Sequence, residues 1–69
     1  MDFDQLYEEQ FPMVYRYLMG LCGNRALAEE LAQETFCRAI EHSNSFQGKC
    51  RLSVWLCQIG KNCWLSYLR

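Results

Sequence analysis

The sequence has little of what a metal site or an active site requires. It contains one histidine, His42, and none of its five cysteines forms a C-x-x-C pair. Structural zinc sites use Cys and His ligands grouped at short spacings, so zinc is disfavoured. The sequence shows no cysteine or serine in a glycine-rich turn for a histidine base to activate, which disfavours nucleophilic catalysis. We therefore expect no enzyme activity, no metal and no cofactor.

The sequence also lacks a secretory signal peptide and an apolar run long enough to cross a membrane. These absences predict a cytoplasmic protein without membrane insertion. In the cytoplasm its thiols stay reduced and act as small hydrophobic side chains. A redox-sensing role for Cys50, which falls in a predicted loop, is the alternative for that residue.

Apolar residues are abundant, at 51% of the 69 residues, and aromatic residues make up 14%. This composition argues against disorder, and the length predicts one small domain over residues 1–69. The charges are unevenly distributed. Residues 1–34 hold seven acidic and two basic side chains, whereas residues 35–69 hold five basic and one acidic. Such a division favours two different partners, although chance in a short chain is the alternative.

Apolar residues recur at spacings of three and four from Phe3 to Leu21, which predicts a helix. Asp2-x-x-Gln5 is typical of a capping box at its start, and Pro12 predicts a kink or a split. Asn24 can cap a second helix over about 25–42 whose inner stripe is Leu27, Leu31, Thr35 and Ala39.

A polar loop precedes a last helix, which Ser53 can cap and which runs to about Arg69. That helix has apolar residues on more than one side, so it is either buried on several sides or covered by a partner. Gly60 inside it indicates close packing, since glycine costs about 1 kcal/mol relative to alanine in a helix. No strand pattern is present, and the sequence predicts an all-α bundle of three main helices.

Four stretches together resemble domain 2 of bacterial sigma factors, in the extracytoplasmic-function (ECF) group of the sigma-70 family. They occur in the order and at the spacing of the family, over almost all of the chain. They are Phe11-Pro-Met-Val-Tyr-Arg-Tyr17, Ala28-Glu-Glu-Leu-x-Gln-Glu-Thr-Phe-x-Arg-Ala39, Phe46-x-Gly48, and Trp55-Leu-x-x-Ile-x-x-Asn62 with Tyr67-Leu-Arg69.

The resemblance implies that the second helix docks on the clamp helices of the largest subunit of core RNA polymerase. Carboxylates can pair with arginines of such a partner, and an apolar contact adds buried area. Without the resemblance, a solvated acidic helix face would be the simpler interpretation. The docking residues implied by position are Glu29, Glu30, Gln33, Glu34, Phe36 and Ile40.

The loop and the last helix resemble the part of the family that recognises and opens the promoter −10 element on its non-template strand. A base must leave the stack before its pairing edge can be read, so the loop would form a pocket for one base. Basic side chains would hold phosphates. The implied DNA-binding residues are Phe46, Gln47, Gly48, Lys49, Cys50, Arg51, Leu52, Trp55, Gln58, Lys61 and Asn62. An ordinary polar loop and a solvent-facing helix are the alternative.

Leu56 and Leu52 favour weak intrinsic melting of DNA. Trp55 matches a wedge tryptophan of housekeeping sigma factors, although a core tryptophan is the alternative. Leu56 replaces their second tryptophan, and Leu52 replaces a stacking aromatic; an aromatic ring under a base is worth about 1–3 kcal/mol. Gln58 replaces a common arginine. We therefore expect the domain alone to bind DNA poorly and to need polymerase.

The resemblance also implies an anti-sigma factor as a partner, and a linker and a −35-binding domain that would follow Arg69. The competing interpretation is a helical protein-interaction module with no role in DNA binding. An enzyme is a third and poorer alternative, because the carboxylates lie on an outward helical face.

Overall fold

The computed structural model describes residues 2–46, 48 and 50–69, and in that part of the chain it contains three α-helices and one short 3₁₀ helix. The α-helices are α1 (Phe3–Cys22), α2 (Arg25–Glu41) and α3 (Leu52–Leu68), and the 3₁₀ helix covers Ser43–Ser45. Each α-helix packs against both others. The predicted all-α bundle of three main helices is therefore confirmed.

Pro12 predicted either a kink or a split. Helix α1 is continuous, so the split is wrong. Pro12 removes one backbone N–H, whose acceptor would have been the carbonyl of Glu8 four residues earlier. Glu8 and Pro12 both lie on the exposed side of the helix, where water can bind the free carbonyl. The helix therefore continues through the proline, held by the buried side chains of Leu6, Val14 and Leu18.

The helix caps agree only in part with the sequence prediction. The Asp2 side chain accepts hydrogen bonds from the backbone N–H groups of Asp4 (3.1 Å) and Gln5 (3.3 Å). The amide of Gln5 donates to Glu9 (2.9 Å) instead of returning to Asp2, so the reciprocal half of the capping box does not form. Asn24 caps α2 as predicted, accepting from the N–H of Leu27 at 3.0 Å.

Helix α3 begins two residues earlier than a Ser53 cap would predict. Arg51 occupies its N-cap position without a side-chain hydrogen bond, and Ser53 lies inside the first turn, so the predicted Ser53 cap is wrong. The backbone N–H of Trp55 donates to the Arg51 carbonyl at 3.1 Å. The start of α3 is therefore fixed by packing of apolar side chains rather than by a polar cap.

The core lies where the three helices meet, and Gly60 permits a close approach there. A Cβ atom on Gly60 would lie 3.3 Å from Thr35 Oγ1 and 3.5 Å from a Leu18 methyl group. Thr35 is fully buried, and its hydroxyl donates to the Leu31 carbonyl at 2.8 Å. The close packing that Gly60 predicted is thus present, and it brings α3 directly onto α1 and α2.

Candidate functional site

The outer face of α2 carries the polar residues that were predicted to dock. Glu29, Glu30, Gln33 and Glu34 are all exposed. The opposite face is buried, and its members are Ala28, Leu31, Ala32, Thr35, Phe36 and Ala39. Residues three and four apart share a helix face, so one face of α2 is held in the core while the carboxylates stay in solvent.

Two predicted docking residues differ from the rest. Phe36 is only 4% exposed, and its ring lies 5.0 Å from that of Tyr7 and 6.2 Å from that of Phe11. Phe36 therefore supports the helix from inside and exposes almost no surface that a partner could contact. Ile40 is 52% exposed and can supply the apolar contact that Phe36 cannot.

One of the predicted docking carboxylates, Glu34, has a neighbour that the predicted set did not include. Arg38 Nε donates to Glu34 Oε1 at 3.1 Å, one turn along the same exposed face. This hydrogen bond is the main cause that raises the pKa of Arg38, which stays charged. The spacing of four residues could have revealed the pair from sequence. An exposed pair of this kind contributes about 0–1 kcal/mol, so Glu34 can exchange Arg38 for another cation.

Beside that face, a cavity of about 290 Å³ separates α2 from the end of α3. Glu30, Glu34 and Arg38 line one wall, and Ser66 and Tyr67 line the other. Tyr67 is 59% exposed, and its ring stacks on Trp64 with a centroid separation of 5.9 Å. The sequence did not predict that this end of α3 adjoins the acidic face.

The loop that was predicted to bind DNA contacts α3 through an aromatic pair. The rings of Phe46 and Trp55 lie 4.9 Å apart at an angle of 37°. Trp55 is half-buried and also packs against the core, so it is neither fully enclosed nor free. Gly48 is exposed with φ +71°, a left-handed conformation that L side chains rarely adopt.

The remaining predicted DNA-binding residues fall into three groups. Cys50, Arg51, Gln58, Lys61 and Asn62 are exposed, and Leu52 is half-buried against the core. Gln47 and Lys49 lie outside the described residues. Gln58, Lys61 and Asn62 share one face of α3, as their spacing predicts.

The sequence did not predict that a cavity lies beside Gln58 and Lys61. These two side chains border a cavity of about 430 Å³ between α1 and α3. The other lining residues are Met13, Tyr17, Ser53, Val54 and Cys57. The Cys57 thiol contacts the Met13 sulfur at 3.4 Å, across 44 positions of sequence. No local sequence pattern brings these residues together, because the contact forms only when the bundle packs.

Burial disfavours the charged thiolate form of two cysteines on α3. Burial raises the pKa of the Cys57 thiol, and burial is also the largest cause of the raised pKa of Cys63. All five cysteines are free. Within residues 2–46, 48 and 50–69, no group of three or more His, Cys, Asp or Glu side chains could hold a metal ion. Over the same residues, no helix has the length and hydropathy needed to cross a membrane.

The sequence matches the family model described as Sigma-70 region 2 over residues 6–69. It is 36% identical, over its whole length, to the ECF RNA polymerase sigma factor SigM of Bacillus subtilis, and spans 42% of that protein. It is 38% identical over 61 residues to the ECF RNA polymerase sigma factor BldN of Streptomyces coelicolor, covering 87% of this chain and 23% of BldN.

A third relative is the ECF RNA polymerase sigma factor SigL of Mycobacterium tuberculosis. It is 34% identical over 58 residues, which are 83% of this chain and 33% of SigL. No solved structure gives a significant match. The family match extends through all three helices and through the loop that carries Phe46 and Gly48. The chain therefore belongs to the sigma-70 region 2 family, as a member of its ECF group.

Proposed function

We propose that this domain is the promoter-recognition module of an ECF sigma factor, which acts without catalysis in the cytoplasm. It would dock on the clamp helices of core RNA polymerase and help to open the promoter −10 element. The observation that carries the proposal is the family match over residues 6–69, on a fold that leaves the implied docking carboxylates exposed.

The docking half rests on the division of α2 into two faces. Glu30, Gln33 and Glu34 stand outward on a helix whose other side is fixed by buried residues, so they are held in place before a partner binds. Charge-assisted hydrogen bonds between carboxylates and arginines are about twice as strong as neutral ones. Ile40, at 52% exposure, adds apolar area at the end of the same helix.

The DNA half rests on the loop and on the first turns of α3. The contact of Phe46 with Trp55 fixes the loop against α3, and the left-handed Gly48 lets the backbone approach a ligand closely. Arg51 is exposed beside them and can bind a phosphate. These groups suit an unstacked base of the non-template strand, whose pairing edge is accessible only after it leaves the duplex.

Polymerase would supply most of the affinity for DNA. The chain has a net charge of −1, whereas a domain that binds DNA alone is usually basic. Leu56, which follows Trp55, is fully buried. Of these two residues, only Trp55 could therefore act as a wedge in the duplex. We therefore propose weak intrinsic melting and a requirement for a well-matched promoter.

The docking half is tested by charge reversal on α2. We expect the pair Glu30→Lys and Glu34→Lys to lower retention by immobilised core polymerase at least tenfold, because two attractive contacts become repulsive. The matched control is Glu8→Lys with Glu9→Lys, which makes the same charge change on the exposed side of α1. Equal loss in both variants would mean that net charge, rather than the α2 face, governs binding.

The DNA half is tested with core polymerase bound and single strands of about a dozen nucleotides of varied sequence. We expect selectivity for the base at one or two positions, and weaker binding by Arg51→Gln than by Arg25→Gln, an exposed arginine on α2. Binding without base preference, or equal effects of the two arginine changes, would reject the DNA half of the proposal and leave only the docking half standing.

A second candidate is a protein-interaction module, and the exposed apolar side chains of α3 favour it. Leu65, Tyr67 and Leu68 are 41%, 59% and 58% exposed. In the sigma-factor proposal the same side chains would bind an anti-sigma factor. The retention experiment with the α2 charge reversal distinguishes the two candidates. A module without a transcription role should not bind polymerase in any variant.

A further inference from the structure

The cavity between α2 and the end of α3 has two walls of different chemistry. Its volume, about 290 Å³, lies just below the range of about 300–1,000 Å³ that small-molecule sites occupy, so it suits a single side chain. Glu30 and Glu34 give the α2 wall two carboxylates, and Tyr67 gives the α3 wall an aromatic ring. Leu31 and Cys63 add apolar surface, and both are almost fully buried.

The Tyr67 ring is supported by a neighbour and still accessible. It stacks on the ring of Trp64 with a centroid separation of 5.9 Å and an interplanar angle of 16°. Tyr67 is nevertheless 59% exposed, so Trp64 covers only part of it. An aromatic ring attracts a cation that lies over its face, within about 6 Å of the ring centroid. Tyr67 therefore offers a supported ring beside two carboxylates.

The charges around the cavity favour a cation. Arg38 Nε donates to Glu34 Oε1 at 3.1 Å, so the charges of these two side chains neutralise each other. Among the described residues, no ion pair involves Glu30. The lining residues therefore carry one net negative charge, and it belongs to Glu30.

A guanidinium group matches these features better than an ammonium group does. Its planar fork can donate two parallel hydrogen bonds to one carboxylate, and its flat face stacks on aromatic rings. The aliphatic stem of an arginine also packs on apolar surface such as that of Leu31. The contact between Arg38 and Glu34 shows that this wall already accommodates one guanidinium group.

We propose that the α2–α3 cavity receives an arginine side chain of core RNA polymerase. The guanidinium group lies on the exposed part of the Tyr67 ring and donates to Glu30, next to the Arg38–Glu34 pair. This inference rests on the proposed docking function. Charge complementarity and continuity with the α2 face favour this occupant, since Glu30 and Glu34 belong to both surfaces. The docking surface thereby extends to the end of α3, to which the sequence assigned no polymerase contact.

The test measures the affinity of the full chain for immobilised core polymerase. Tyr67→Ala should weaken binding roughly 2- to 30-fold, which is the range that a cation–π contact supplies. Tyr67→Phe keeps the ring and should bind like the wild type. Tyr67→Leu keeps apolar area without a ring and should bind like Tyr67→Ala. The matched control is Leu68→Ala, because Leu68 is 58% exposed at the same end of α3 and is not one of the described residues that line the cavity.

A double-mutant cycle tests whether Tyr67 and Glu30 bind the same group. If they share one guanidinium group, Tyr67→Ala should weaken binding less in a Glu30→Gln background than in the wild type. In the matched cycle of Glu30→Gln with Leu68→Ala, the two fold-changes should simply multiply. Circular dichroism verifies that each variant is folded.

Three results would overturn the inference. The first is equal binding by Tyr67→Ala and Leu68→Ala, and the second is binding by Tyr67→Leu as tight as that by Tyr67→Phe, which would indicate apolar contact alone. The third is independent effects of Tyr67→Ala and Glu30→Gln in the cycle. Failure of the proposed function gives a different result, since core polymerase would then not retain the wild-type chain.

Discussion

Helices α2 and α3 have the same length, 17 residues, but the side chains that they expose to solvent differ in chemistry. On α2, small and apolar side chains are buried, and the outer face carries carboxylates and amides. On α3, Leu56, Gly60 and Cys63 are buried, while Val54, Leu65 and Tyr67 remain between 41% and 59% exposed. Both helices are anchored in one core, so the difference lies in what each presents outward.

The comparison relates surface chemistry to the kind of partner that each helix fits. A charged outer face costs little to hydrate and becomes attractive only toward a complementary charge, which suits specific docking. An apolar outer face gains free energy from any covering surface, about 25 cal/mol per Å² of apolar area removed from water. Helix α3 is therefore the surface where stacking or apolar contacts are expected, and α2 is the surface for ion pairs.

The sharpest division within α2 is between Phe36 and Ile40. Phe36→Ala is expected to lower the free energy of unfolding by about 3–5 kcal/mol, because it leaves a cavity among the Tyr7 and Phe11 rings. Ile40→Ala, on the exposed side, should change it by at most about 0.5 kcal/mol. Urea denaturation followed by circular dichroism measures both. A large loss of stability in Ile40→Ala would show that the outer face is also structural.

Gly60 and Gly20 test how closely α3 must approach its neighbours. Gly60→Val should destabilise the fold by about 1–3 kcal/mol or more, because its branches meet Thr35 and Leu18. Gly20 is also helical, but beyond its chain neighbours and its own helical turn no atom lies within 4 Å of a Cβ placed there. Gly20→Ala should therefore stabilise α1, by up to about 1 kcal/mol.

Thermal unfolding of Gly60→Val, Gly20→Ala and Gly60→Ala measures how much added volume the helix contact at Gly60 tolerates. In Gly60→Ala, gained helix propensity opposes a 3.3 Å contact with Thr35 Oγ1, which its hydrogen bond to Leu31 holds in place. We expect this variant to be less stable than Gly20→Ala. The reverse order would mean that Thr35 moves aside easily.

The smallest expected effect concerns the thiols. Burial raises the folded-state pKa of Cys57 and Cys63, so the folded chain holds these protons to higher pH than the unfolded chain does. Their contribution to stability is complete below the unfolded pKa and is lost as pH rises through the folded pKa. The double variant Cys57→Ala, Cys63→Ala should show a shallower alkaline decline than the wild type. The control is Cys37→Ala, on the exposed side of α2. Identical alkaline curves for all three proteins would exclude the effect.

The sequence predicted the helices well because each carries its own local signals. The Asn24 cap and the spacing of Leu31, Thr35 and Ala39 describe α2 to within one residue of its end. The errors occurred where tertiary contacts override a local signal: packing carries α1 through Pro12 and begins α3 before Ser53. Packing also holds Phe36 in the core, although it shares a sequence motif with the predicted docking residues.

The sequence by itself determined the helical architecture, the family and the set of polar residues on α2, since periodicity, caps and motifs are properties of neighbouring residues. Tertiary structure alone decided which side chains meet across helices. It placed Tyr17 and Met13 beside Gln58 and Lys61, Tyr67 beside Glu30 and Glu34, and Phe46 on Trp55. Contacts of this kind depend on the angle and distance at which rigid helices pack, and side-chain volumes at the common core, above all the absence of one at Gly60, set that geometry.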